Sequence, residues 1–215
     1  MCLIACPVYD TIENGRVRFT VRTLGNILDT VDLRKHRLYI IDNGSTDPAT
    51  KSLLENYKRP PFTVITLPEN IGTARAINLA WKERCSWENA VKMDNDVVIG
   101  QKGWADEIEE VFKIDPTIGI CALKRVDLDE TPWNANPWYK SSLRMLPHTP
   151  GEPWIIVEEV KHAMGTCQGY SKKLLEKIGY LYQMQDEGNL YGFDDSFASL
   201  RARMGGFRVV FLPSI

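Results

Sequence analysis

Two carboxylates stand two residues apart in Val91-Lys92-Met93-Asp94-Asn95-Asp96-Val97-Val98-Ile99, with short apolar runs on either side. In an extended chain residues i and i+2 point to the same side. Asp94 and Asp96 can therefore aim together at one hard cation, or one at a cation and the other at a hydroxyl. Divalent Mg²⁺ or Mn²⁺ takes carboxylate oxygens and keeps water and phosphate as its remaining ligands. A polar turn between two strands uses the same residue types, so the spacing alone leaves both readings open. Three other polar clusters could join such a site: Asp42-Asn43-Gly44-Ser45-Thr46-Asp47, Glu69-Asn70-Ile71-Gly72, and Gly192-Phe193-Asp194-Asp195.

The elements between these clusters are legible from periodicity. Cys2-Leu3-Ile4-Ala5-Cys6 reads as a buried strand closed by Pro7, with Pro7-Val8-Tyr9-Asp10 leaving the sheet because proline ends ladder pairing. Phe19, Val21, Leu24, Ile27, Leu28 and Val31 predict an amphipathic helix. Leu38-Tyr39-Ile40-Ile41 is a second strand, and Asp47-Pro48 an N-cap with proline in the first turn of a helix to about Tyr57. A third strand spans 62–67. Thr73 is expected to cap a helix through Trp81, and a fourth strand over 90–93 delivers Asp94 and Asp96. This alternation predicts a mostly parallel sheet with helices on both faces. In such sheets ligands bind beyond the carboxyl ends of the strands, where all these clusters lie. Later come a helix over 104–112, strands over 119–123, 154–160 and 163–170, a capped helix over 171–178, a helix ending near Met204, and a strand over 207–212. Between Asp127 and Pro153 the chain is rich in Pro, Trp, Asn and Ser, including Trp133, Trp138, Tyr139 and His148, and is read as a flap or irregular lobe.

Composition narrows the class. The 215 residues suit one large domain, and the 44% apolar and 25% charged content is that of an ordinary folded chain. A net charge of −2 offers no global basic field for nucleic acid, although a local patch and a nucleobase acceptor stay open. No apolar run has the length of a membrane-spanning helix, and the N-terminus lacks a basic start, so a soluble, cytoplasmic protein is expected. The five cysteines are scattered without a Cys-x-x-Cys pair and read as reduced thiols.

Taken in order, the four polar segments resemble the family-2 glycosyltransferases of the GT-A (nucleotide-diphospho-sugar transferase) fold, and Pro7-Val8-Tyr9-Asp10 resembles that family's first-strand motif. The likeness runs from about residue 3 to 212. It implies a single α/β domain: a mostly parallel central sheet flanked by helices, a nucleotide-sugar-binding half over 1–100, and an acceptor-binding half with a small irregular lobe over 101–215. It further implies inverting transfer from a nucleotide-sugar, by family habit a UDP-sugar, with Mn²⁺ or Mg²⁺ on the diphosphate. By similarity Pro7, Tyr9 and Asp42 line the base pocket, Asn70, Gly72 and Arg75 lie beside base and ribose, Asp94 meets the ribose, and Asp96 holds the metal. Asp195 matches the acidic general base, preceded here by the shorter Asp194 where the family has Glu. Gln168, on an expected inner strand, is read as a hydroxyl partner for the donor sugar.

Structural readings stand beside these. Asp42 and Asp47 also suit a turn and a helix cap, Asn78 ties down backbone, Arg75 suits a solvated helix face, and Asp194-Asp195 suit a helix N-terminus favoured by its dipole. Trp133, Trp138 and Trp154 fit core filling or a platform for a sugar face. The sequence departs from the family in having no His after His162, where a metal-binding His is common. Either Asp96, phosphate and water hold the metal, or the chain is truncated, or another residue such as His148 or His162 serves. Two other functions compete with this one. A nucleotidyltransferase of the same superfamily needs a Gly-rich basic loop after the first strand, which Pro7-Val8-Tyr9-Asp10-Thr11 lacks. A nucleotide-binding module that has lost activity is disfavoured by the retained Asp94, Asp96 and Asp195. Carbohydrate, lipid-linked sugar and protein all stay open as acceptor, and oligomeric state is unread.

Overall fold

The structure is a computed structural model that describes residues 1–126, 141–147, 154–183 and 194–213. Strands β1 (Cys2–Val8), β2 (Arg37–Asp42), β3 (Phe62–Thr66) and β4 (Asn89–Met93) alternate with helices α1 (Val17–Thr30), α2 (Pro48–Glu55) and α3 (Thr73–Lys82). The second half follows as α4 (Trp104–Ile114), β5 (Ile118–Leu123), β6 (Ser142–Leu146), β7 (Ile155–Val160), β8 (Cys167–Tyr170), α5 (Lys172–Ile178), α6 (Asp194–Met204) and β9 (Arg208–Leu212). Among the described residues, nine strands form one sheet in the order β3-β2-β1-β4-β8-β5-β9-β7-β6. Their pairings make seven strands run one way, with β8 and β7 reversed; β3-β2-β1-β4 and β5-β9 pair in parallel as expected, and the other four ladders are antiparallel.

Two apolar layers cover the sheet. One holds Cys6, Leu24, Ile27, Val91, Trp104 and Ile108 under α1 and α4, and the other holds Ala5, Ile77, Trp81, Tyr170 and Leu174 under α3 and α5. Trp81 and Trp104 are fully buried, each contributing on the order of 2–3 kcal/mol of burial. Among the described residues no helix is long and apolar enough to cross a membrane.

Four expectations are corrected. Pro7 does not end β1, which continues to Val8 with Pro7 opposite Ile41 and Val8 opposite Asp42. Val8 directs its carbonyl to Asn43 on the β2 side. Alternation along the strand therefore turns the Pro7 nitrogen toward β4, whose pairing has already ended at Ala5–Lys92. Helix α1 buries Thr20, Thr23, Leu24, Ile27 and Thr30, whereas Phe19, Val21 and Leu28 are exposed. Its inward threonines are satisfied by Asp10, by the Val97 carbonyl and by the Asn26 carbonyl, so hydrogen bonding joins the apolar Leu24 and Ile27 in setting the buried face. Gly72, not Thr73, precedes α3, at φ +90°. Residues 142–146, expected to be irregular, form strand β6, which among the described residues pairs with β7 at the edge of the sheet. Trp133, Trp138, Tyr139 and His148 lie outside the described residues.

Candidate functional site

The parallel strands deliver their exits to one end of the sheet. The β1 exit is anchored by Asp10, which is fully buried. Its carboxylate accepts from Thr20 Oγ1 at 2.7 Å, Thr50 Oγ1 at 2.8 Å and Asn95 Nδ2 at 3.1 Å, while its carbonyl accepts from the Thr46 and Asp47 amides. Asn95 also donates to Thr20 Oγ1 at 2.7 Å. The residue between the two acidic positions thus faces inward and is locked to β1 and α1, which leaves Asp94 and Asp96 on the outer side.

The β2 and β3 exits are tied to each other. Asp42 is buried, and its Oδ1 accepts from the Ser45 amide at 2.8 Å, the turn anticipated for it. Asp47 caps α2 through the Ala49 amide at 2.8 Å. Asn43 donates to Asn70 Oδ1 at 2.9 Å and accepts from the Ile71 amide at 3.0 Å, and Asn70 Oδ1 also accepts from the Gly72 amide. A Cβ on Gly72 would lie 2.5 Å from Gln183 Oε1, which accepts from the Ala74 amide and satisfies the first turn of α3. Asn78 bonds both the amide and the carbonyl of Leu181. Arg75 is exposed on α3.

These exits enclose a cavity of about 300 Å³ lined by Pro7, Tyr9, Arg16, Asn43, Thr73, Lys92, Asp94, Asn95, Asp96 and Asp194, among others. Pro7, Tyr9, Asp94 and Asp96 thus come together, with Asn70 and Gly72 in the polar network bonded to Asn43, while Asp42 is buried against the Ser45 amide and is not among the lining residues. A second groove of about 670 Å³, which includes Val97, Val98, Leu123, Thr166 and Leu212, shares Asp96 with the first.

Lys92 sits at the bottom, only 4% exposed, in ion pair with Asp194. Burial pulls its ammonium down, yet Asp94, Asp194 and Asp195 together outweigh that and hold it above the usual lysine range. Asp94 is pushed up to about 7 by burial, with Lys92 pulling down and Asp96, Asp194 and Asp195 pushing further up. Asp194 and Asp195 open α6, where the helix dipole favours carboxylates. Asp195 is 22% exposed. Its Oδ2 accepts from the Gly165 amide at 3.0 Å and lies 3.9 Å from His162 Nε2, and its Oδ1 accepts from the Ser196 amide at 2.7 Å. Gly165 is needed there, since a Cβ would fall 2.7 Å from Lys92 Nζ.

Gln168 does not fit the role expected of it. It is fully buried, its Nε2 donates to the Ala163 carbonyl at 2.7 Å, and its Oε1 accepts from Tyr170 at 2.6 Å. Both ends of the amide are engaged inside the fold, and neither is presented to a sugar. Residues of the site not singled out from sequence include Asp10, Arg16, Asn43 and Lys92. For Lys92 a signal exists, because a charge within the apolar run Ala90-Val91-Lys92-Met93 demands a buried partner.

No group of three or more His, Cys, Asp or Glu side chains converges on a common point among the described residues. A divalent cation would therefore draw on Asp96, with Asp94 beside it, and complete its shell with phosphate and water. The hard-oxygen donors and the 41% exposure of Asp96 suit Mg²⁺ or Mn²⁺. His162 faces Asp195 rather than Asp96.

A sheet that presents an Asp-x-Asp exit from β4 opposite an acidic helix start, beside a pocket at the β1 and β2 exits, defines a GT-A nucleotide-diphospho-sugar transferase fold. The chain belongs to glycosyl transferase family 2, whose family model matches residues 7–179. It is 31% identical over 118 residues to a poly-beta-1,6-N-acetyl-D-glucosamine synthase of Staphylococcus aureus, a match covering 54% of this chain and 26% of that protein. The chain thus spans about a quarter of the length of the curated relatives it matches. Among solved structures, mannosyltransferase PcManGT from Pyrobaculum calidifontis, in complex with GDP-Man and Mn2+, aligns with a TM-score of 0.69 at 19% identity, covering 99% of this chain and 55% of that one. S. aureus TarS in complex with UDP-GlcNAc aligns with a TM-score of 0.65 at 17% identity, covering 98% and 55%. At these identities the structural likeness establishes the fold.

Proposed function

We propose that this chain is a metal-dependent, inverting glycosyltransferase that moves a sugar from a UDP-sugar to a hydroxyl of a carbohydrate or lipid-linked acceptor. One observation carries the reading. The half-exposed carboxylate of Asp96 and the acidic start of α6 face a single cavity whose other wall is the Pro7–Tyr9 exit. N-acetylglucosamine is the favoured donor sugar, since the matched relative is named for a polymer of it and TarS is seen with UDP-GlcNAc. The first hundred residues would hold the donor and residues 101–215 the acceptor.

In this reading Pro7 and Tyr9 flank the base, Asp42 accepts a hydrogen bond from its ring N–H, and the Asn43–Asn70–Gly72 network shapes the ribose pocket, with Arg75 at its rim. Asp94 receives the ribose and Asp96 holds the cation. A divalent cation there supplies Lewis-acid stabilisation of charge growing on the leaving diphosphate. Asp195 takes the proton of the acceptor hydroxyl as it attacks. Each Asp195 oxygen is tied by one amide and keeps a lone pair for that proton. Asp194 is the poorer base because Lys92 already occupies it. A single displacement with one base inverts the anomeric carbon, and no covalent intermediate is required.

The test is a thermal-shift titration of UDP, GDP and dTDP, with and without Mn²⁺, on wild type and Asp96→Ala, followed by turnover of the matching nucleotide-sugar by wild type and Asp195→Asn. Ligands that bind only the folded state raise its apparent stability. A Mn²⁺-dependent shift with UDP that disappears in Asp96→Ala is expected, as is loss of turnover in Asp195→Asn. Absence of any nucleotide shift sinks the reading. Full turnover by Asp195→Asn sinks the base assignment.

A further inference from the structure

Arg16 has no part in the activity described so far, yet its guanidinium lies across the mouth of the site. Its main chain is fixed from both sides. The Arg16 amide donates to Asn14 Oδ1 at 3.1 Å, Asn14 Nδ2 donates to the Tyr9 carbonyl at 3.0 Å, and the Arg16 carbonyl accepts from the Phe19 and Thr20 amides. From this anchor Nη2 reaches Asp96 Oδ2 at 2.8 Å and Asn95 Oδ1 at 3.4 Å. Asn95 is itself held by Asp10 and by Thr20, one turn into the same helix. The strand exit that presents Asp96 and the helix start that presents Arg16 are thus parts of one frame.

That geometry sets two cations in competition. A divalent ion on Asp96 takes the carboxylate that Arg16 now pairs with, and leaves the guanidinium beside a doubly charged neighbour. Like charges a few ångströms apart repel even where water screens them. A diphosphate removes the conflict, because its oxygens give the guanidinium a bidentate anionic partner within the same pocket. We propose that Arg16 couples the two ligands: it holds Asp96 when both are absent and turns to the diphosphate when both arrive, so that cation alone binds weakly and cation and nucleotide promote each other. This rests on the reading of the site as one for a nucleoside diphosphate with a divalent cation. Such coupling is reciprocal by linkage.

The experiment measures Mn²⁺ binding by the electron paramagnetic resonance of free Mn²⁺, first without and then with UDP, on wild type, Arg16→Gln and Arg18→Gln. Arg18 is exposed, stacked over Phe19, and serves as the control for lost surface charge. Arg16→Gln is expected to bind Mn²⁺ alone about three- to tenfold more tightly, the scale of one partly exposed ion pair plus one like-charge contact. It is expected to bind UDP in the presence of Mn²⁺ roughly tenfold more weakly, as fits a lost charge-assisted hydrogen bond. Arg18→Gln should change neither. A Mn²⁺-alone affinity that is unchanged or weaker in Arg16→Gln overturns the proposal, as does an equal gain in Arg18→Gln. If no protein binds UDP under any condition, the nucleotide reading itself falls, while the Mn²⁺-alone comparison still tests the competition for Asp96.

Discussion

Replacing Lys92 by Met removes one positive charge from beneath three carboxylates while keeping an unbranched stem of similar length. Lys92 is 4% exposed and its partner Asp194 12%, so water replaces little of the lost attraction. Removing one partner of a buried pair costs about 3–5 kcal/mol, because the surviving charge is left uncompensated. For a chain of this size that is a fall in Tm of roughly 6–20 °C. The pH dependence separates charge from packing. In wild type the lysine is held above its ordinary value, so the stability from its pairing is complete below about pH 10 and is lost as pH rises through the folded value. In the variant, Asp94 loses the cation that pulls its carboxyl downward, so its folded pKa rises further. Carboxyls raised on folding destabilise progressively as pH climbs above about 4. Urea unfolding of Lys92→Met should therefore show its full deficit near pH 8 and roughly half of it or less near pH 5. A loss under about 1 kcal/mol near pH 8, or the same loss at both pH values, would refute the assignment of Lys92 as the counter-charge of the site.

Three other outcomes follow from the same geometry. With Asp94 raised to about 7, metal-free protein should lose on the order of 4 kcal/mol from this group between about pH 4 and pH 7, and urea midpoints for Asp94→Asn should be flatter across that window. Gly165→Ala sets a Cβ 2.7 Å from Lys92 Nζ and 3.1 Å from Asp195 Cβ, so turnover should fall together with a stability loss of about 1–3 kcal/mol; a variant unchanged in both Tm and rate counts against the close packing there. Asp10→Ala strips the acceptor from Thr20, Thr50 and Asn95 and should cost about 3–5 kcal/mol in denaturant unfolding, with Asp10→Asn recovering part of it.

The first half of the fold was legible because its signals are local. The runs Leu38–Ile41 and Ala90–Met93, the turn formers after Ile41 and the Asp47-Pro48 cap each declare themselves within a few residues, and the structure bears them out. What escaped depends on partners far along the chain. Pro7 is tolerated in a central strand only because β4 stops pairing at Lys92. The wet-looking threonines of α1 are buried because Asp10, Asn26 and Val97 receive their hydroxyls. Strand β6 leaves Leu143 and Met145 exposed on one face, and, paired with β7 at the edge of the described sheet, it lacks the alternation of a half-buried strand. Lys92 is identified as a site residue by Asp194, 102 positions away. Gln168 was misread because a glutamine on an inner strand carries no mark of the direction it faces; Ala163 and Tyr170 decide that.

The reversal of β8 has a consequence for how such a chain can diversify. Because β8 runs against β4 and β5, it brings its beginning, not its end, to the edge that carries Asp94 and Asp96, and the Thr166 carbonyl there accepts from the Asp94 amide at 2.9 Å. The segment leading into β8 thus arrives beside the Asp-x-Asp exit as a separate strap, joined to β4 at one seam. Insertions or deletions upstream of Lys161 would alter what this strap brings to the edge without shifting the register of β1, β2 or β4. The structure on one side of the seam can be inherited intact while the segment on the other is rewritten.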